Sequence, residues 1–136
     1  TYTDLRLVLK GYNASGGASV RLQFNSDTGT NYSQTSLYGD GGGSASSFSA
    51  TSATGATIAT YWLSSGYYMA TADIFSYVGS TYKTCLGIGS GADTRADASV
   101  SLWRSTSAIN AINILFSSAN NFATGTIATL YGIKAA

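Results

Sequence analysis

The sequence contains no histidine, no proline and no glutamate, and it has a single cysteine in 136 residues. The absence of histidine removes the commonest general base and the commonest zinc ligand. All acidic side chains are therefore aspartates, at positions 4, 27, 40, 73, 93 and 97. Cys85 has no partner for an internal disulfide, and its alternating apolar surroundings favour a buried structural thiol.

Charge is also scarce, since charged residues make up 10% of the chain and the net charge is +1. This excludes nucleic-acid binding by a basic surface. No run approaches the ~20 apolar residues of a membrane-spanning helix, so we expect no membrane contact. No signal peptide is visible, and because Thr1 opens directly on a strand pattern without an initiator Met, we expect an upstream segment. A nearly uncharged surface does little to keep copies apart, which favours association with other protein.

Alternation of apolar and polar residues predicts strands along most of the chain. Leu5, Leu7 and Leu9 define one buried face between Tyr2 and Lys10, and Val20, Leu22 and Phe24 define another. The turn between these two strands suggests a hairpin. Tyr32 to Tyr38 is shorter and more polar, which predicts an edge strand.

The rest of the chain continues this pattern as far as the C-terminus. Tyr68 to Val78 is a predicted strand with Ala70, Ala72, Ile74 and Val78 on one face and bulky residues also on the other. A last strand carries Ile127, Tyr131 and Ile133 on one face and Leu130 on the other. About eight strands, no helix and turns every 8–12 residues are typical of a sandwich or barrel. We predict a single all-β domain over residues 1–136, an antiparallel β-sandwich.

The polar turn Asn25 to Gly29 has the oxygen spacing with which a calcium loop begins. The twelfth position of a loop that begins at Asn25 is Ser36, where a calcium loop needs a bidentate glutamate. We interpret the segment as a plain turn with a side-chain cap, in which Gly29 takes a positive φ. The sequence predicts no metal site and no cofactor.

Catalytic patterns are also weak. A glycosidase needs two carboxylates across a cleft, and the six aspartates show no spacing that indicates such a pair. There is no G-x-S-x-G elbow and no histidine to serve as its base. We therefore predict that the protein is not an enzyme.

Ten tyrosines and two tryptophans offer flat surfaces that suit protein interfaces or sugar stacking. The densest pairs are Tyr61-Trp62 and Tyr67-Tyr68, which are the candidate surface and interface residues. Core packing and cross-strand pairing are the competing explanation for these aromatic residues.

Four segments, in order along nearly the whole chain, resemble a family of small tailed-bacteriophage virion structural proteins. They are T-Y-T-D-L-R-L-V-L from Thr1, V-R-L-Q-F-N-S-D-T-G-T-N-Y from Val20, W-R-S-T-S-A-I from Trp103 and L-Y-G-I-K from Leu130. The resemblance implies a jelly-roll-type sandwich on the outer surface of a virion. It implies no catalytic residues.

This resemblance leaves two roles open. The first is a capsid decoration (cement) protein that binds the major capsid protein or other virion proteins and stabilises the head. The second is a tail or fibre appendage that binds a host receptor or glycan. For a decoration protein we expect a homotrimer at a local three-fold of the shell, with the N-terminal strand adding to a neighbour's sheet edge.

Overall fold

A computed structural model describes residues 1–134, which form a sandwich of ten antiparallel strands without a helix. The strands are β1 (Asp4–Gly11), β2 (Ala18–Phe24), β3 (Tyr32–Gly39), β4 (Ala45–Ala53), β5 (Ala56–Trp62), β6 (Tyr68–Ile74), β7 (Lys83–Gly91), β8 (Arg95–Trp103), β9 (Ile112–Phe116) and β10 (Ile127–Ile133). The predicted all-β sandwich is confirmed. Within residues 1–134 no helix is present that could cross a membrane.

The two sheets differ greatly in size. The large sheet has seven strands in the order β10-β1-β6-β7-β8-β3-β4, and the small sheet has three in the order β5-β2-β9. An eight-stranded jelly roll divides its strands between two sheets built from two Greek keys. Because the division here is seven and three, the finer prediction of a jelly roll is not confirmed.

Strand pairing corrects three predictions that rested on neighbouring segments. The β1–β2 hairpin is wrong, because β1 pairs with β10 and β6 whereas β2 pairs with β5 and β9. β3 is not an edge strand, since it lies between β4 and β8. β1 is hydrogen-bonded on both sides, so it has no free edge with which to extend a neighbouring sheet, and the predicted docking of this strand is wrong.

The core lies between the inner faces of the two sheets. Leu5, Leu7 and Leu9 face inward as their alternation predicts, and Val20, Leu22 and Phe24 face them from the small sheet. A side chain of this size stabilises the fold by about 1.5–3 kcal/mol when it is fully buried. Cys85 is buried as predicted, and burial raises the pKa of its thiol to about 12.

Glycines set the distance between the sheets where β5 crosses β7. A Cβ at Gly87 would lie 2.6 Å from the Cα atom of Ile58, and one at Gly89 would lie 2.5 Å from the Cβ atom of Ala59. These contacts are shorter than any side chain allows, so β5 can pack against this part of β7 only because Gly87 and Gly89 lack side chains. Leu86 and Ile88, which alternate with the two glycines, are on the other side of the sheet.

The turn after β2 is a capped polar turn, as predicted, although its backbone differs from the prediction. The positive φ angles belong to Asn25 (53°) and Ser26 (58°) and not to Gly29. Asn and Ser carry short polar side chains that bond nearby backbone in this conformation. The side chain of Asn25 does so, since its Oδ1 accepts hydrogen bonds from the backbone N–H groups of Asn110 and Ala111.

Candidate interaction surface

The outer face of the large sheet exposes a group of neighbouring apolar side chains on β7, β8 and β3. Strand register places Ile88 beside Ala98 and Ala98 beside Leu37, and in the next row Leu86 lies beside Val100. We call these five residues the apolar face. All five are exposed to solvent.

This arrangement inverts the usual burial of a strand. In β7 the inward positions hold Gly87 and Gly89, and in β8 they hold Ser99 and Ser101, whereas the bulky residues alternate with them on the outside. Ser101 donates to the carbonyl of Thr57, and Ser99 shares a hydrogen bond with Ser36, so the buried hydroxyls have partners. The chain therefore buries serine and exposes isoleucine on adjacent strands. Its core packing here comes from the close approach of backbones, and an apolar surface is left exposed.

No charged side chain of the described residues lies on the outer face of β7, β8 or β3. Charged side chains are present on the outer face of the next two strands, β6 and β1. There the Nε atom of Arg6 on β1 lies 2.6 Å from Oδ1 of Asp73 on β6. This hydrogen bond raises the pKa of Arg6. The two opposite charges neutralise each other at the border of the apolar face.

An open depression of about 460 Å³ adjoins the apolar face on the side of β4. Val100 and Leu102 form its apolar wall, and hydroxyl-bearing side chains line the rest of it (Ser33, Thr35, Ser49, Thr51 and Thr84). The combination of an apolar centre and an uncharged polar border is the usual anatomy of a protein–protein interface.

Two of the four predicted surface residues lie in the core. Trp62 is 1% exposed and Tyr68 is 3% exposed, and their rings stack with centroids 5.7 Å apart. Both positions face inward on their strands, which the aromatic clusters in the sequence do not reveal. Their placement on the surface is therefore corrected, and core packing explains them.

Tyr61 is 46% exposed and has a φ of 64°, which is rare for an aromatic residue. It lies where β5 bulges against β2, since the register shifts between Ala18 and Val20. The guanidinium carbon of Arg95 lies 5.0 Å from the Tyr61 ring centroid and 4.1 Å from that of Tyr38. Cation–π contacts thus occupy one face of each ring.

Behind Tyr61, Thr60 links β5 to the buried carboxylate of Asp97. The backbone N–H and the hydroxyl of Thr60 donate to Oδ2 of Asp97 at 2.8 and 2.7 Å. Burial raises the pKa of Asp97, although these two hydrogen bonds oppose the shift. The cluster holds the strained end of β5 against the large sheet, and we assign it a structural role.

Tyr67 is the most exposed aromatic side chain, at 79%. Its ring meets that of Tyr12 edge to face, with centroids 6.3 Å apart. It borders a groove of about 340 Å³ that Val8, Lys10 and Met69 also line. Tyr68 lines the same groove but is 3% exposed, so of these two predicted residues Tyr67 is the one with an exposed ring.

Asp27, in the turn weighed as a calcium loop, is used by the fold. Its carboxylate accepts hydrogen bonds from the backbone N–H of Gly29, the side-chain amide of Asn31 and, at 2.7 Å, the indole Nε1 of Trp103. Across residues 1–134 no group of three or more aspartate or cysteine side chains is placed to share a metal ion.

Comparison of the chain with family models, curated proteins and solved structures found no match.

Proposed function

We propose that the protein is a structural component of a bacteriophage virion, a decoration (cement) protein that binds the outside of the capsid shell. The observation that carries the proposal is the apolar face, formed by Leu37, Leu86, Ile88, Ala98 and Val100 on the outside of the large sheet. The resemblance of the sequence to virion structural proteins supports the same role. The role requires stable protein contacts and no catalytic step.

The outer face of the large sheet is wide enough for a stable interface. Seven strands spaced by about 4.8 Å, with about seven residues each rising about 3.3 Å, cover roughly 780 Å². A standard interface buries about 800 Å² on each partner. The apolar face occupies three of the seven strands of this area, and the largest exposed apolar patch of a monomer is often a binding site. We infer that the shell proteins cover this face and that the contact reinforces the shell.

The proposal is tested by placing a charge in the middle of the apolar face. Shells that lack the protein are mixed with purified wild-type chain or with Ile88→Lys, and binding is measured by co-sedimentation. We expect the lysine to weaken binding about tenfold or more, because its ammonium group would be desolvated in an apolar contact. Ala119→Lys, in an exposed loop away from the large sheet, adds the same charge and should bind like the wild type.

Two outcomes would contradict the decoration role. The first is that Ile88→Lys binds shells as tightly as the wild type. The second is that shells stripped of the protein withstand heat and osmotic shock as well as intact shells do.

A second candidate function is host recognition by a tail or fibre appendage, and the groove beside Tyr67 favours it. Exposed tyrosine rings stack on sugar rings, and Lys10 supplies a hydrogen-bond donor in the same groove. A glycan array with wild-type chain and Tyr67→Ala tests this role. Binding that Tyr67→Ala removes would support it, and an array without any signal would count against it.

A further inference from the structure

β10 forms one edge of the large sheet and pairs with β1 alone. All seven residues from Ile127 to Ile133 are exposed. The side of β10 that faces away from β1 therefore presents a row of backbone N–H and C=O groups, with no strand of the described chain beside it.

Proteins normally protect such an edge with a charged residue, a proline, a bulge or a short strand. β10 reads I-A-T-L-Y-G-I, which contains neither charge nor proline, and its register with β1 is unbroken over seven residue pairs. The other edges are less regular: the pairing of β4 shifts near Tyr32, β5 bulges near Tyr61, and β9 has only five residues. β10 is thus the edge of the described sheets most suited to receiving another strand.

The inward side of β10 adds an apolar contact to this free edge. Leu130 and Ala128 line a groove of about 150 Å³ together with Leu7, Ile112 and Ile114, at the end where the small sheet stops. Leu130 remains 51% exposed there. A strand added beside β10 would place a side chain next to Leu130 and would shield this apolar groove from solvent.

We propose that the occupant of this edge is β10 of a second copy, paired antiparallel about a two-fold axis at Leu130. That register places Leu130 opposite Leu130, and Ile127 of each copy opposite Ile133 of the other. The strand carries no charge, so the symmetric pairing brings no like charges together. Because this pairing uses the same edge on both copies, the assembly is complete with two chains. The homotrimer expected from the sequence would need a different contact.

This pairing is independent of the proposed binding to shells, because it uses the edge of the large sheet and not its apolar face. The oligomeric state is measured by sedimentation velocity from about 1 to about 100 µM for wild type, Leu130→Lys and Leu37→Lys. Leu37 is 56% exposed and lies on the apolar face, so its substitution is a matched control. We expect the wild type and Leu37→Lys to dimerise. The dissociation constant of the Leu130→Lys dimer should be at least about tenfold higher, because two ammonium groups would face each other.

Cysteine cross-linking tests the register, since the native Cys85 is buried and does not compete. Under mild oxidation, Leu130→Cys should form disulfide-linked dimers because the two copies of the residue would lie directly opposite each other. Ile127→Cys alone should not form them, because its own copy would lie about 20 Å away along the strands. The double variant Ile127→Cys, Ile133→Cys should restore cross-linking.

The proposal is overturned if the wild type stays monomeric over this range, if it forms trimers, or if Leu37→Lys dissociates it and Leu130→Lys does not. Cross-linking of Ile127→Cys as efficiently as Leu130→Cys would overturn the two-fold register.

Discussion

The carboxylate of Asp27 joins the turn after β2 to the end of β8. It accepts the indole N–H of Trp103, and this hydrogen bond is the largest cause of the lowered pKa of Asp27. Nearby, the hydroxyl of Tyr32 accepts from the backbone N–H of Phe24 and donates to the carbonyl of Asp27. The polar turn therefore fixes the positions of the aromatic rings that close this end of the core.

We predict that Asp27→Ala lowers the free energy of unfolding by about 1–3 kcal/mol, because it leaves the indole N–H of Trp103 without an acceptor. Denaturant unfolding measures the loss. Asp40→Ala removes a carboxylate that bonds only its own exposed loop, at the backbone N–H of Gly42, and should change stability by less than about 0.5 kcal/mol. Equal losses in the two variants would contradict the role given to Asp27.

The pH dependence of stability has a defined sign for Asp27. Because folding lowers its pKa, the carboxylate contributes stability that is present above the unfolded-chain pKa and is lost as the pH falls through the lower folded value. We expect the wild type to lose this contribution below about pH 4 and Asp27→Asn to lack it. Parallel acid unfolding curves of the two proteins would show that Asp27 does not contribute.

At the scale of elements, the glycines of β7 set the spacing of the sandwich. We predict that Gly87→Ala destabilises the fold by about 1–3 kcal/mol or more, because its methyl group would meet the backbone of Ile58. Gly39→Ala, at the end of β3, has no atom within 4 Å of the new methyl group and should be nearly neutral. Thermal unfolding compares the two, and a Gly87→Ala protein as stable as Gly39→Ala would contradict the close contact.

The strands whose faces could be predicted are those that bury large residues. The alternation of Leu5, Leu7 and Leu9 correctly predicts the face of β1 that packs into the core. The alternation of Ala70, Ala72 and Ile74 does the same for β6. On β7, Leu86 and Ile88 lie outside because Gly87 and Gly89 pack against β5, and that long-range contact has no local signature. The alternation of glycine with Leu86 and Ile88 is the signal that could have indicated it.

Strand pairing was the least predictable feature, because most partners are distant in the chain. β1 lies between β10 and β6, and β2 lies between β5 and β9, so no local turn specifies either arrangement. The exposure of the clustered aromatic residues could not be predicted for a similar reason. Whether Trp62 or Tyr67 is exposed depends on what packs above it, and the sequence around both is similarly rich in tyrosine.

At the scale of the whole molecule, separate surfaces are available for different tasks. The interior between the sheets gives stability, whereas we propose that the apolar face binds other virion proteins and that the β10 edge pairs copies of the chain. A charge on the apolar face should therefore affect shell binding without dissociating the dimer. A charge on β10 should do the reverse.

We propose that the chain decorates the shell, and the number of its copies in purified virions tests this role. Quantitative mass spectrometry against the major capsid protein gives the number of copies per particle. A decoration protein follows the symmetry of the shell, so the account predicts hundreds of copies per particle. A handful of copies, as in a tail appendage, or none at all, would contradict the account.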